Sequence, residues 1–323
     1  MMAWLVRDWG QPEAMDFADI PLPQPGNGQF LLKIEAAALN FMDTLMIQGL
    51  YQVKPTLPFT PGVEVAGSVE SSGPGSAFKA GDRVCAMVAI GGYAEYVVVG
   101  DADAILLPET MSTLEGAVFP VVYPTAHLAL RDAARMKAGE VVLVHAGAGG
   151  VGLASIQVAK AWGGKVIATA GGAEKAQVCR DHGADLAIDY EAGSWLDQVK
   201  QFTGGKGADI IVDMVGGEVT EQSIKMLAWR GRLLIVGFAG GRIPSLQANR
   251  LLLKSASAIG VFWGGLRGKE PEFAQAVLSD LLAMYRNGEI KPVVSKTYPL
   301  RDAPRALSDL ATRKTYGKVA LIP

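Results

Sequence analysis

Two textures of apolar residues divide this chain. At 30–35, 63–71, 82–88 and 93–99, short extended runs are separated by proline- and glycine-rich loops at 21–28 and 72–75. That spacing predicts a β-rich, barrel-like region. From Tyr123 onward the apolar positions regroup: 125–134 predicts a helix, and the unalternated Val141-Val142-Leu143-Val144 predicts a strand buried on both faces of a parallel sheet. Strand-like runs at 165–169, 186–188, 209–213 and 232–238 follow, separated by stretches of helical length, so the block predicts β-α alternation. Residues 271–287 carry helical periodicity with Gly288 as the stop, and 293–298 and 318–322 predict strands. The expected division is 1–122, then 123–263 as the α/β domain, then 264–323 as a return to the first region.

The sharpest local signal follows the Val141-to-Val144 run. Gly147, Gly149 and Gly152 satisfy G-x-G-x-x-G: the first allows a tight turn, the second lets backbone approach a pyrophosphate, and the third lets helix and strand pack closely. A helix opening there turns unpaired N–H groups and its positive dipole end toward an anion. Dinucleotides with a bare ribose 2′-hydroxyl are usually met by Asp or Glu at the end of the second strand, about 20 residues beyond the glycine turn. Here that place is Ala170-Gly171-Gly172, with Lys175 just beyond, so NADPH is expected over NADH.

Half of the 323 residues are hydrophobic and the formal net charge is −2, a balance that describes a globular protein and not a polyanion binder. No apolar run approaches the roughly 20 residues that span a bilayer, and a cytoplasmic location is expected. Cys85 and Cys179 are expected as isolated buried thiols. Of the three histidines, His145 closes the first buried strand as a core residue, His182 ends a helix, and His127 has no clear assignment. No Cys/His/carboxylate set has zinc-ligand spacing and no G-x-S-x-G turn occurs.

Four segments carry a resemblance: Asn40-Phe41-Met42-Asp43-Thr44 with Gly49-Leu50-Tyr51; Pro61 to Gly67; Ala80-Gly81-Asp82-Arg83-Val84; and His145 to Gly152 continuing to Gln157. Gly171 to Gln177 and Leu321-Ile322-Pro323 add to it. The chain resembles the medium-chain dehydrogenase/reductase superfamily and, within it, the zinc-free quinone oxidoreductases related to zeta-crystallin. The resemblance implies an α/β protein with a Rossmann-type doubly wound parallel sheet, a GroES-like β-rich catalytic domain made from both chain ends, and a substrate cleft where they meet. Val63 stands where zinc-dependent relatives carry histidine, which implies metal-free hydride transfer.

The resemblance also assigns residues. Asn40 and Thr125 would border the nicotinamide, Gly150 and Val151 the pyrophosphate, and Lys175 and Tyr190 the 2′-phosphate; Gly237, Phe238, Val261 and Trp263 would line the nicotinamide pocket, and Arg313 matches a basic position near the end. Leu45 stands where the family often has tyrosine. Hydride addition to a quinone or conjugated enone puts negative charge on oxygen, so Asn40 and Tyr51 are the candidate donors and Asp43 a candidate orienting group. An enoyl-thioester or alkenal reductase on the same scaffold stays open, as does an NADPH-binding structural or RNA-associated crystallin-like protein. The near-neutral charge argues against nucleic acid, and a homodimer paired through 256–261 is expected.

Overall fold

The computed structural model describes all of residues 1–323. The chain divides into two units, Met1–Val121 with Pro292–Pro323, and Val122–Lys291. In the first unit, β1 (Met2–Leu5) pairs antiparallel with β2 (Asp16–Asp19). The main sheet is organised on β3 (Gln29–Ala38), where buried Leu32, Ile34 and Ala36 alternate with exposed Lys33 and Glu35, the period of two of a strand covered on one face, while at Phe30-Leu31 and at 36–38 both faces are buried. After β3 comes α1 (Phe41–Ile47), then β4 (Glu64–Ser72), β5 (Arg83–Met87), β6 (Tyr96–Gly100), β7 (Ala104–Leu106) and α2 (Thr113–Ala117). Strands β4 and β6 both pair with β3, and β5 and β7 extend the sheet beyond β4.

The second unit opens with α3 (Val122–His127), which passes into one wide turn closed by the Ala134 N–H on Ala129 O at 2.9 Å, so the helix expected over 125–134 is present with its second half loosened. Then follow β8 (Val141–Val144), α4 (Gly150–Ala161), β9 (Lys165–Ala170), α5 (Ala173–Asp181), β10 (Leu186–Asp189), α6 (Trp195–Phe202), β11 (Ala208–Asp213), α7 (Gly217–Met226), β12 (Leu227–Ile235), α8 (Ala248–Lys254), β13 (Ser257–Gly260), α9 (Trp263–Lys269) and α10 (Pro271–Arg286). The six strands are all parallel in the order β10-β9-β8-β11-β12-β13. Winding runs outward in both directions from β8 and β11, which is the doubly wound arrangement with its switch point between those strands. Strand β12 starts earlier and stops earlier than the 232–238 expected; Arg230 at φ 60° sits beside a register shift against β11.

The remaining elements are β14 (Val294–Pro299), α11 (Ala303–Ala311) and β15 (Lys318–Ile322). Strand β15 lies between β14, parallel to it, and β3, antiparallel to it. Its buried Val319 and Leu321 join the core with Phe30, Leu32, Val65 and Val84, and each such side chain stabilises by about 1.5–3 kcal/mol. One boundary differs from the expected division. Residues 264–291, expected in the returning segment, belong to the second unit, and the return begins at Pro292. The cause is α10, whose buried Ala274, Val277, Leu281 and Met284 recur at helical spacing and turn one face toward α3 and α9. The Tyr123 hydroxyl then donates to Lys291 O at 2.7 Å and ties the end of this segment down.

Candidate active site

In the first unit the chemistry gathers at the corner between β3 and α1. Asn40 is extended there, φ −125° and ψ 149°, and its backbone N–H donates to Asp43 Oδ2 at 2.8 Å, one arm of a capping box. The Tyr93 hydroxyl donates to the same oxygen at 2.7 Å, while Asp43 Oδ1 is buried without a partner. Burial pushes the Asp43 carboxyl up to about 6, against the lowering pull of those two hydrogen bonds and of Lys318. Tyr51 follows α1, with its N–H on Leu45 O at 3.2 Å. Burial, and then the charge of Asp43, raise its phenol, so the hydroxyl keeps its proton at neutral pH and can donate.

The raised carboxyl has a consequence for stability. The folded chain holds the Asp43 proton more tightly than the unfolded chain, whose value is near the ordinary 3.8, so this contribution is full below about pH 4 and is lost as pH rises through about 6. Asp43→Asn keeps an acceptor for both donors and removes the charge. We expect the variant to be more stable than the parent at pH 7.5, by up to about 3 kcal/mol, and its urea midpoint to lack the parent's decline between pH 4 and 6. Parallel pH profiles for the two proteins would show that Asp43 does not titrate in this range.

Beneath Asn40 lies a second layer that no local pattern in the sequence singles out. Lys318 Nζ donates to Leu39 O at 2.8 Å, Asn40 Oδ1 at 2.6 Å and Glu64 Oε2 at 2.8 Å. Asn40 Nδ2 donates to Glu64 Oε2 at 2.9 Å, and the Val121 N–H to Glu64 Oε1 at 2.7 Å. Glu64 is fully buried, Lys318 5 % exposed and Asn40 8 %. Buried charges persist where they are paired and hydrogen-bonded, as both are here.

In the second unit the residues singled out from the sequence follow the carboxyl ends of parallel strands. Gly147, Gly149, Gly150, Val151 and Gly152 follow β8; Lys175 follows β9 on α5; Tyr190 follows β10; Gly237 and Phe238 follow β12; Val261 and Trp263 follow β13. Parallel pairing sets all of these at one edge of the sheet, with the glycine turn at the switch point. Thr125 is buried in α3, which lies against α4. Arg313 is in the first unit, at a left-handed turn after α11 (φ 59°).

The glycine turn is close-fitting. A Cβ on Gly152 would stand 2.3 Å from Ala146 O and 2.6 Å from Gly147 O, and one on Gly147 would stand 2.8 Å from the Ala168 Cβ. The helix N-cap is Gly149, with no side chain satisfying the first N–H groups of α4. A pyrophosphate fits such an opening, because it supplies the acceptors that a capping side chain would otherwise give. At the end of β9 the fold adds carboxylates that the local sequence does not reveal. Asp189 Oδ1 accepts from the Gly172 N–H at 2.9 Å. A Cβ on Gly171 would lie 2.6 Å from the Tyr190 hydroxyl and 2.8 Å from Glu191 Oε1.

His145 is the core residue expected: its ring nitrogens face Thr169 Oγ1 at 2.9 Å and Ser223 Oγ at 2.8 Å, Trp195 meets it edge-on, and burial lowers it to about 4. His182 ends α5, with Nδ1 2.8 Å from Val178 O. His127 Nε2 lies 2.8 Å from Asp280 Oδ2, and burial lowers its pKa. Cys85 and Cys179 are free, buried thiols that burial pushes up. No group of three or more His, Cys, Asp or Glu stands where it could hold a metal ion, and no helix is long and apolar enough to cross a membrane.

Two family models match the chain: "Alcohol dehydrogenase GroES-like domain" over residues 26–109 and "Zinc-binding dehydrogenase" over residues 150–280. A quinone oxidoreductase of Mus musculus is 38 % identical over 327 aligned residues, which cover all of this chain and 98 % of that one. A mycobacterial structure complexed with NADPH superposes with a TM-score of 0.93 at 36 % identity, each chain covering 100 % of the other. The Escherichia coli quinone oxidoreductase complexed with NADPH does so with a TM-score of 0.93 at 32 % identity, again over 100 % of both chains.

Proposed function

Because the chain belongs to the quinone oxidoreductase family of the medium-chain dehydrogenase/reductase superfamily, we propose that it is an NADPH-dependent oxidoreductase that passes hydride to a quinone or conjugated enone without zinc. The observation that carries the reading is the uncapped start of α4 behind Gly147, Gly149 and Gly152, at the carboxyl edge of a doubly wound sheet. Quinone oxidoreductase relatives along the full chain favour this acceptor class over an enoyl-thioester, an alkenal or a purely structural or RNA-associated role.

When bound, NADPH supplies a hydride from C4 of its nicotinamide and is left as NADP⁺. The chain's own work is binding and orientation. Gly150 and Val151 offer N–H groups to the pyrophosphate, and Lys175 with the Tyr190 phenol meets the 2′-phosphate against the opposing charge of Glu191. Thr125, Gly237, Phe238, Val261 and Trp263 bound the nicotinamide, and Arg313 serves a further basic contact. At the acceptor, Asn40 and Tyr51 donate to the oxygen that gains negative charge, Asp43 orients them, and water supplies the proton that completes the reduced product.

Stopped-flow mixing of the NADPH-loaded protein with a series of quinones and enones should show oxidation of the dinucleotide; no turnover with any member would remove the enzyme reading. Lys175→Glu is expected to weaken NADPH at least about tenfold in a fluorescence titration while NADH changes little. Equal losses would remove the 2′-phosphate assignment.

The reading includes a cytoplasmic homodimer. Two buried unpaired thiols support a reducing compartment. Edge strand β13 leaves one row of backbone groups without a partner strand, beside exposed Leu252 (78 %), Leu253 (75 %) and Phe262 (63 %), a surface suited to a second copy of this chain. Leu252→Asp with Leu253→Asp should shift the protein from dimer to monomer in light scattering; a parent that already elutes as a monomer would remove the proposal.

A further inference from the structure

The Asn40 carboxamide has two ends, and its neighbours distinguish them chemically. Lys318 Nζ can only donate, and it reaches Asn40 Oδ1 at 2.6 Å; both Glu64 oxygens accept, and Oε2 takes Asn40 Nδ2 at 2.9 Å. Rotating the amide by half a turn would set its NH₂ against an ammonium and its oxygen against a carboxylate, in a buried place where such contacts are costly. The neighbours are saturated in turn. The three protons of Lys318 go to Leu39 O, Asn40 Oδ1 and Glu64 Oε2, and Glu64 Oε1 is taken by the Val121 N–H. The second Nδ2 hydrogen is left with no acceptor in the protein.

We propose that Lys318 and Glu64 are positioning residues for the reduction: together they hold the Asn40 carboxamide in the one orientation that keeps an N–H available to the oxygen of the acceptor. Lys318 also withdraws electron density through Oδ1, and an amide polarised at its oxygen is a stronger donor at its nitrogen. A donor already oriented needs no rearrangement as charge builds on the acceptor, which is what makes such hydrogen bonds effective in a transition state. The inference rests on the quinone or enone reductase reading, which gives the free N–H something to bind.

The experiment is a cycle of four proteins: the parent, Glu64→Gln with Lys318→Met as a neutral pair, Asn40→Ala, and the triple variant. Each is loaded with NADPH, mixed with a quinone, and followed by single-turnover absorbance, which reads rates over several decades. We expect the paired change to slow hydride transfer at least about tenfold in the parent background, with NADPH affinity within about twofold, and to do nothing further once Asn40 is alanine. A merely structural pair would slow both backgrounds alike, and that result overturns the proposal. So does a paired variant as fast as the parent. A parent that oxidises no NADPH with any acceptor instead removes the functional reading, and the inference with it. Should the paired variant not fold, the parent labelled with ¹⁵N-asparagine decides: titration with a non-reducible hydroxyquinone analogue should move one of the two Asn40 side-chain protons, and movement of both or neither overturns the proposal.

Discussion

Gly152→Ala is expected to lower NADPH affinity by about a hundredfold, because it displaces the start of α4 by a fraction of an ångström to an ångström at the place where the pyrophosphate sits. The methyl group would lie 2.3 Å from Ala146 O and 2.6 Å from Gly147 O, and both are backbone atoms of the turn, so no side-chain rotation relieves the contact. Either the turn opens or the helix backs away from the strand, and each moves the N–H groups of Gly150 and Val151. Overpacking of this kind also costs about 1–3 kcal/mol of folding stability. Isothermal titration with NADPH and a urea unfolding curve on the same sample read the two effects separately. Gly149→Ala is the control, because its added carbon meets nothing nearer than Ala146 O at 3.2 Å. Equal affinity losses at the two positions would mean that general disturbance of the loop, and not the close approach at Gly152, controls binding.

Lys318→Ala should cost about 3–5 kcal/mol of stability, since it leaves the Glu64 carboxylate buried with its counter-charge removed and a cavity where the lysine stem lay. Against a total of about 5–15 kcal/mol for an ordinary domain, that is enough to unfold a measurable fraction at 37 °C. The paired neutral change Glu64→Gln with Lys318→Met should cost much less, because no lone charge remains and the volume is kept. Urea unfolding of the parent, the single variant and the pair tests this difference. A single variant within about 1 kcal/mol of the parent would mean that water reaches the Glu64 carboxylate.

The Rossmann-type unit is largely legible in the amino-acid sequence because its signals are local. An unalternated apolar run, a glycine spacing and the helix that follows are set within about 20 residues, the span over which one βα turn is built. What lies beyond local reading comes from residues far apart in the chain. Glu64 and Lys318 are 2.8 Å apart and stand on strands that flank β3 on opposite sides, neighbours only because β15 returns to β3, so a lysine opening the apolar run 318–322 reads by itself as an exposed strand end. Glu191 and Asp189 show the same effect at the end of β9, where Ala170-Gly171-Gly172 carries no acid but the neighbouring strand brings two. The boundary at 264 misleads for a related reason: α10 looks like any amphipathic helix, and only its docking on α3 assigns it to the second unit.

The seating of β15 between β14 and β3 bears on how this protein is made. Residues 122–291 are continuous, so that unit can complete its sheet while later residues are still inside the ribosome. The first 121 residues emerge earlier yet must wait, holding a place in their sheet for a strand that is translated only after the whole second unit. Nascent chains stalled before Lys318 would therefore carry one finished half and one with an open seam, the state in which a chaperone has most to shield.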